Sequence, residues 1–175
     1  MPPITVVIAD HRQARRAACL RLLEPIEGIK VVGQAQSGLG AIAATKLKPR
    51  ILLLDLTLAR GMGNSLLRLI HQRSPHTKVI LLAVCTSEAL IIEALSHGAP
   101  GYLDEKSLCA FLEKAVRVVD AGEAWVPRRI VAEVAARLRA RSEHHSEASG
   151  EVSRPRARRG VVPPRLAEPC LCTVR

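Results

Sequence analysis

Two aspartates stand at positions where a side chain of their kind is costly to place. Asp10 ends the aliphatic run ITVVIAD, and Asp55 sits inside ILLLDLTLARGMG, with a glycine-containing loop expected directly after it. A carboxylate among apolar side chains costs free energy unless it has a partner or a task. Two carboxylates facing one pocket raise each other's pKa unless a cation lies between them. A hard divalent ion such as Mg²⁺, completed by backbone carbonyls and water, suits such a pair. That ion would also screen a phosphoryl group arriving at Asp55. The plainer reading is that each Asp closes its strand and caps the loop or helix that follows.

What could bring residues 45 positions apart into one pocket is the order of elements around them. Apolar runs predict strands at 4–9, 30–35, 51–56, 78–84 and 101–103. Helix-period stretches fall between them at about 11–24, 38–47, 64–73 and 87–97, and a fifth follows at 108–120. Three strands are almost continuously aliphatic, as burial on both faces of a parallel sheet requires. The alternation predicts an α/β domain over residues 4–121, a doubly wound, flavodoxin-like sheet of order 2-1-3-4-5. In that order the first and third strands are neighbours, and ligands bind beyond their carboxyl ends. A linker helix is expected within 122–141, starting at Pro127, with Ile130, Val131, Val134 and Leu138 on one face. Residues 142–175 are rich in Pro, Arg, Ser and Gly without sustained period, which predicts a disordered basic tail.

The totals agree with one domain and an appendage. Of 175 residues 48% are apolar but only 2% aromatic, so the core must be aliphatic. The net charge of +10 is uneven: residues 128–175 carry 11 Lys and Arg against 5 Asp and Glu. A basic end of this kind suits a polyanion such as nucleic acid, or simply a solvated tail. No run approaches the roughly 18 apolar residues of a membrane helix, and MPPITVVIAD lacks the form of a signal peptide, which predicts a cytoplasmic chain with no membrane partner. The five cysteines include a lone Cys170-x-Cys172 pair, too few ligands for zinc, so reduced thiols are expected.

The stretches ITVVIADHRQARRAACLRLLE, VVGQAQSGLGAIAATKLKPRILLLDLTLARGMG and VILLAVCTSEALIIEALSHGAPGYL resemble receiver domains of two-component response regulators of the NarL/FixJ type. The following VVDAGEAWVPRRIVAEVAARL is similar to that family's linker. The resemblance implies that Asp55 is the phosphoacceptor, served by a histidine kinase. It implies that Asp10 is an acidic-pocket residue and that Thr57 offers a backbone carbonyl to Mg²⁺. It also matches Gly63 with the loop glycine and Tyr102 with the aromatic of the last strand, and it leaves room for a homodimer.

Three functional positions depart from the family pattern. Such receivers carry two adjacent acids after the first strand, whereas IADHR has one. Either His11 replaces the second acid, or one acid is deleted and His11 is the histidine that often follows the pair. Ala83 stands where a Thr or Ser hydroxyl would bind a phosphoryl oxygen, and Glu105 where a lysine would pair with it, with Lys106 one position late. The absence of each such charge-assisted hydrogen bond costs on the order of 1.5–3 kcal/mol. The expectation is a degenerate receiver with weak Mg²⁺ binding, acting by protein–protein contact.

Full-length members of that family continue into a DNA-binding helix-turn-helix, which makes a DNA-binding transcriptional regulator the alternative function. No helical pattern of that kind follows residue 141, so DNA is not expected to be a partner of this chain. With permitted codons, PRARRGVV (155–162) read in another frame becomes Arg-Glu-Arg-Asp-Val-Val, similar to the opening of such a domain. The tail therefore reads either as an out-of-frame remnant or as an ordinary basic tail. An enzyme on the same fold carries little weight, because ADHRQARR lacks a glycine-rich phosphate loop and no nucleophile–base pair is evident. Limited proteolysis should cut first between Arg141 and Arg165 and leave a resistant receiver. A resistant unit over 142–175, or selective binding to one promoter over shuffled DNA, would count against this reading.

Overall fold

A computed structural model of the protein describes residues 2–61, 65–84, 88–127, 130–131 and 135. Five parallel strands, β1 (Ile4–Ala9), β2 (Ile29–Ala35), β3 (Ile51–Asp55), β4 (Lys78–Ala83) and β5 (Gly101–Asp104), form one sheet of order β2-β1-β3-β4-β5. The helices are α1 (Gln13–Leu23), α2 (Gly38–Ala44), α3 (Leu56–Gly61), α4 (Ser65–Arg73), α5 (Glu88–Ser96) and α6 (Leu108–Asp120). This is the expected doubly wound, flavodoxin-like sheet.

Alternation along the strands sorts the aliphatic side chains onto two faces. Val7, Ala9, Leu52, Leu54, Val79 and Leu81 pack toward α2, α3, α4 and α5. Val6, Ile8, Ile51, Leu53, Ile80 and Leu82 pack toward α1 and α6. Every residue of β3 is buried, which is why its sequence shows no polar alternation.

Two local features differ from the sequence reading. The expected loop after Asp55 is instead the short helix α3, because Leu56 and Ala59, one turn apart, both find apolar burial. After α6 the chain returns along the sheet edge: Trp125 N donates to Pro100 O at 3.0 Å, and Trp125 O accepts from Tyr102 N at 2.8 Å. Of the expected linker helix, Ile130 is buried and Val131 exposed, while Val134, Leu138 and the expected tail lie outside the described residues, as does Gly63.

Gly101 is required where β5 meets β4 under α6. A Cβ there would lie 2.8 Å from Ile80 Cγ1, 3.2 Å from Val119 Cγ2 and 3.3 Å from Ile80 Cα. Gly101→Ala should therefore destabilise the fold by about 1–3 kcal/mol, the usual range for overpacking. A lowered urea midpoint with an unchanged slope would register it.

Candidate functional site

The strand register builds the site. Ala9 pairs with Leu54 across β1 and β3, so the next residues, Asp10 and Asp55, stand side by side at the strand ends. Both are closed off from solvent, at 0% and 1% exposure. Each also does the plain local work of a strand-terminal Asp. Asp10 Oδ1 accepts from Arg12 N at 2.8 Å, and Asp55 Oδ1 accepts from Thr57 N at 3.2 Å.

Between the two carboxylates lies a cation that no motif announces, the guanidinium of Arg15. Its Nε donates to Asp10 Oδ2, and its Nη2 lies 2.7 Å from Asp55 Oδ1. Only 3% of this side chain is exposed. Arg15 shares one stripe of α1 with Cys19 and Leu23, at four-residue spacing, and both of those are fully buried. That spacing was the available signal: a charge on the core-facing stripe of a helix needs a buried partner. Arg16 is buried as well, its Nη1 donating to Asp10 O at 2.8 Å.

The remaining contacts converge on Asp55. His11 Nδ1 lies 2.5 Å from Asp55 Oδ2, and Thr57 Oγ1 donates to that same oxygen. Thr57 Oγ1 is also 3.1 Å from His11 Nδ1. Thr57 thus engages the carboxylate through its hydroxyl and its backbone N–H. Burial pushes the Asp55 pKa upward, but hydrogen bonds from Thr57 and His11 and the charge of Arg15 outweigh it, and the net shift is downward. Burial likewise opposes the charge on Arg15, yet its bond to Asp10 and the field of Asp55 raise its pKa. The Cys19 thiol is pushed up to about 12, mainly by burial, and is inert.

The other two positions singled out in the sequence have distinct surroundings. Ala83 ends β4 and is 1% exposed, beside Asp104 in the ladder. Glu105 follows β5 and is not an isolated negative charge. Its Oε2 accepts from Arg12 Nη2 at 3.0 Å and lies 3.9 Å from Arg15 Nη1.

Asp10, His11 and Asp55 bring potential ligand atoms within 4.8 Å of one another, the spacing of a metal site. Receiver domains bind Mg²⁺ at an acidic pocket of this kind. Here the Arg15 guanidinium bridges both carboxylates, so a dication would have to share their oxygens with a fixed positive charge. The residues as arranged do not fit Mg²⁺.

Residues 6–117 match the response regulator receiver domain family. The chain belongs to this family, and its relatives are regulators of the NarL/FixJ type. It is 31% identical over 133 residues to the response regulator GacA of Pseudomonas viridiflava, covering 75% of this chain and 62% of that protein. It is 30% identical over 133 residues to the response regulator UvrY of Escherichia coli, covering 75% and 61%. The chain thus spans about three-fifths of the length of these relatives. Among solved structures, a LuxR-family two-component response regulator from an Aurantimonas species superposes with a TM-score of 0.67 at 26% identity, over 77% of this chain and 97% of that one. The receiver domain of a putative response regulator NarL from Mycobacterium tuberculosis gives 0.65 at 28% identity, over 70% and 100%. Among the described residues no helix is long and apolar enough to cross a membrane.

The lowered Asp55 pKa has a consequence for stability in acid. A carboxyl with a folded pKa below its unfolded value contributes stability that is present above the unfolded value. That contribution is lost as pH falls from there through the folded value. Urea midpoints measured from about pH 6 to about pH 3, across the usual carboxylate range, should therefore fall more steeply for the wild type than for Asp55→Asn. Parallel curves for the two proteins would contradict the assignment.

Proposed function

We propose that this two-component receiver is a pseudo-receiver, which signals through protein–protein contact rather than through a long-lived phosphoryl group on Asp55. The observation that carries the reading is the engagement of both Asp55 oxygens within the protein. Oδ1 faces Arg15 and accepts from Thr57 N, while Oδ2 faces His11 and the Thr57 hydroxyl. A carboxylate so held is a poor nucleophile, because attack on phosphorus requires at least one oxygen to give up its partners. Ala83 offers no hydroxyl to a phosphoryl oxygen, and Glu105 sets a negative charge near where the group would stand. In this reading Asp55 stands at the phosphoacceptor position that the resemblance implies, and a histidine kinase is the upstream partner. The output is then the surface that the receiver shows to another protein, a second copy of this chain included.

Mixing the purified protein with a small phosphodonor and Mg²⁺ should give slow or no labelling at Asp55, followed by intact-protein mass spectrometry. Ala83→Thr, which restores a hydroxyl for a phosphoryl oxygen, should strengthen whatever response exists. Rapid, stoichiometric labelling of the wild type with a long-lived product would overturn the reading.

A further inference from the structure

We propose that the Arg15 guanidinium is the resident cation of the Asp10–Asp55 pocket, and that removing it turns the pocket into a divalent-cation site. The inference rests on the pseudo-receiver reading above and identifies the residue that makes the pocket independent of metal.

Four observations meet at this point. The guanidinium contacts one oxygen of each carboxylate, the position a bridging ion would take. Its Nη1 and Nη2 are buried yet make no hydrogen bond among the described residues: Nη2 meets Asp55 Oδ1 as an ion pair, and Glu105 Oε2 stands 3.9 Å from Nη1. The side chain is therefore placed by opposite charge around it more than by a full set of hydrogen bonds. Its backbone is anchored, because Cys19 and Leu23 on the same stripe of α1 are fully buried. Finally, ligand atoms of Asp10, His11 and Asp55 already lie within 4.8 Å of one another. A single ion could bind all three once the guanidinium is gone.

The chemistry of the exchange follows from tethering. A cation held by the chain does not dissociate into solvent, whereas a free ion must displace it and lose its own hydration. In the native protein the arginine wins, and the carboxylates are neutralised with no dependence on ion concentration. Without the arginine, two buried carboxylates repel, and an ion that bridges them relieves the repulsion. Mn²⁺ shares the carboxylate and water preference of Mg²⁺ and is paramagnetic, which makes it the probe ion.

The test compares wild type, Arg15→Gln and Arg15→Lys for Mn²⁺ binding, followed by loss of the free-ion electron paramagnetic resonance signal, and for melting temperature with and without Mn²⁺. Wild type should leave the signal intact and melt at one temperature in both conditions. Arg15→Gln should melt lower without the ion, recover with it, and bind Mn²⁺ at least about tenfold tighter than wild type. Arg15→Lys keeps a tethered cation and should stay blind to Mn²⁺. Adding Asp10→Asn to Arg15→Gln should abolish the binding and restore part of the drop in melting temperature. Should Arg15→Gln not fold without ions, refolding by Mn²⁺ supports the proposal. Failure of both Arg15→Gln and Arg15→Met to refold with the ion overturns it. Equal Mn²⁺ binding by wild type and Arg15→Gln, or none by a folded Arg15→Gln, also overturns it. Neither result depends on labelling of Asp55, so a failed pseudo-receiver reading remains distinguishable.

Discussion

A single positive charge, held between two carboxylates that water barely reaches, sets the terms for the rest of this protein. Asp10 and Asp55 project from adjacent strand ends, where two carboxylates repel each other unless a cation lies between them. Arg15 supplies it from the first turn of α1. Removing one member of a buried ion pair typically costs ~3–5 kcal/mol, because the survivor is left charged and unpaired. The position of α1 over the sheet, the turn after β1 and the start of α3 are thus tied to one another by charge as well as by apolar packing.

The arrangement also redistributes charge around the carboxyl end of the sheet. Arg12, Arg15 and Arg16 all lie at the N-terminal end of α1, where the helix dipole disfavours positive side chains. No acidic residue occupies that first turn to offset them. Their compensation comes from elsewhere in the fold: Asp10 and Asp55 from two strand ends, and Glu105 from beyond β5. Glu105 therefore has a structural reason to be acidic. A lysine at that position would stand next to Arg12 and Arg15 and repel both.

The aliphatic sheet makes such a pocket possible. With β1, β3 and β4 buried on both faces, the strand ends are fixed to within the register of their ladders. The carboxylates are then presented at a set separation by backbone that cannot easily adjust. A narrow, poorly solvated gap between two acids can be filled by a planar guanidinium, whose nitrogens reach both at once.

Much of this protein was legible in its sequence. The period of the apolar runs set the five strands and their helices, because burial on two faces of a parallel sheet leaves aliphatic runs that helices must separate. The adjacency of Asp10 and Asp55 followed from strand order alone. Thr57, Ala83 and Glu105 could be placed around them by resemblance to the family. The cation between the two carboxylates could not be read this way. Arg15 belongs to no motif, and its role arises from the packing of α1 on the sheet, which brings a helix residue against two strand ends. The sign of Glu105's surroundings was equally hidden, since Arg12 lies 93 positions away in the chain. The short helix after Asp55 formed where a loop was expected because tertiary burial of Leu56 and Ala59 rewarded it. Strand and helix identity depend on local pattern, which a sequence displays. The partner of a buried charge depends on which distant side chains the packing brings within about 3 Å, and only the folded chain decides that.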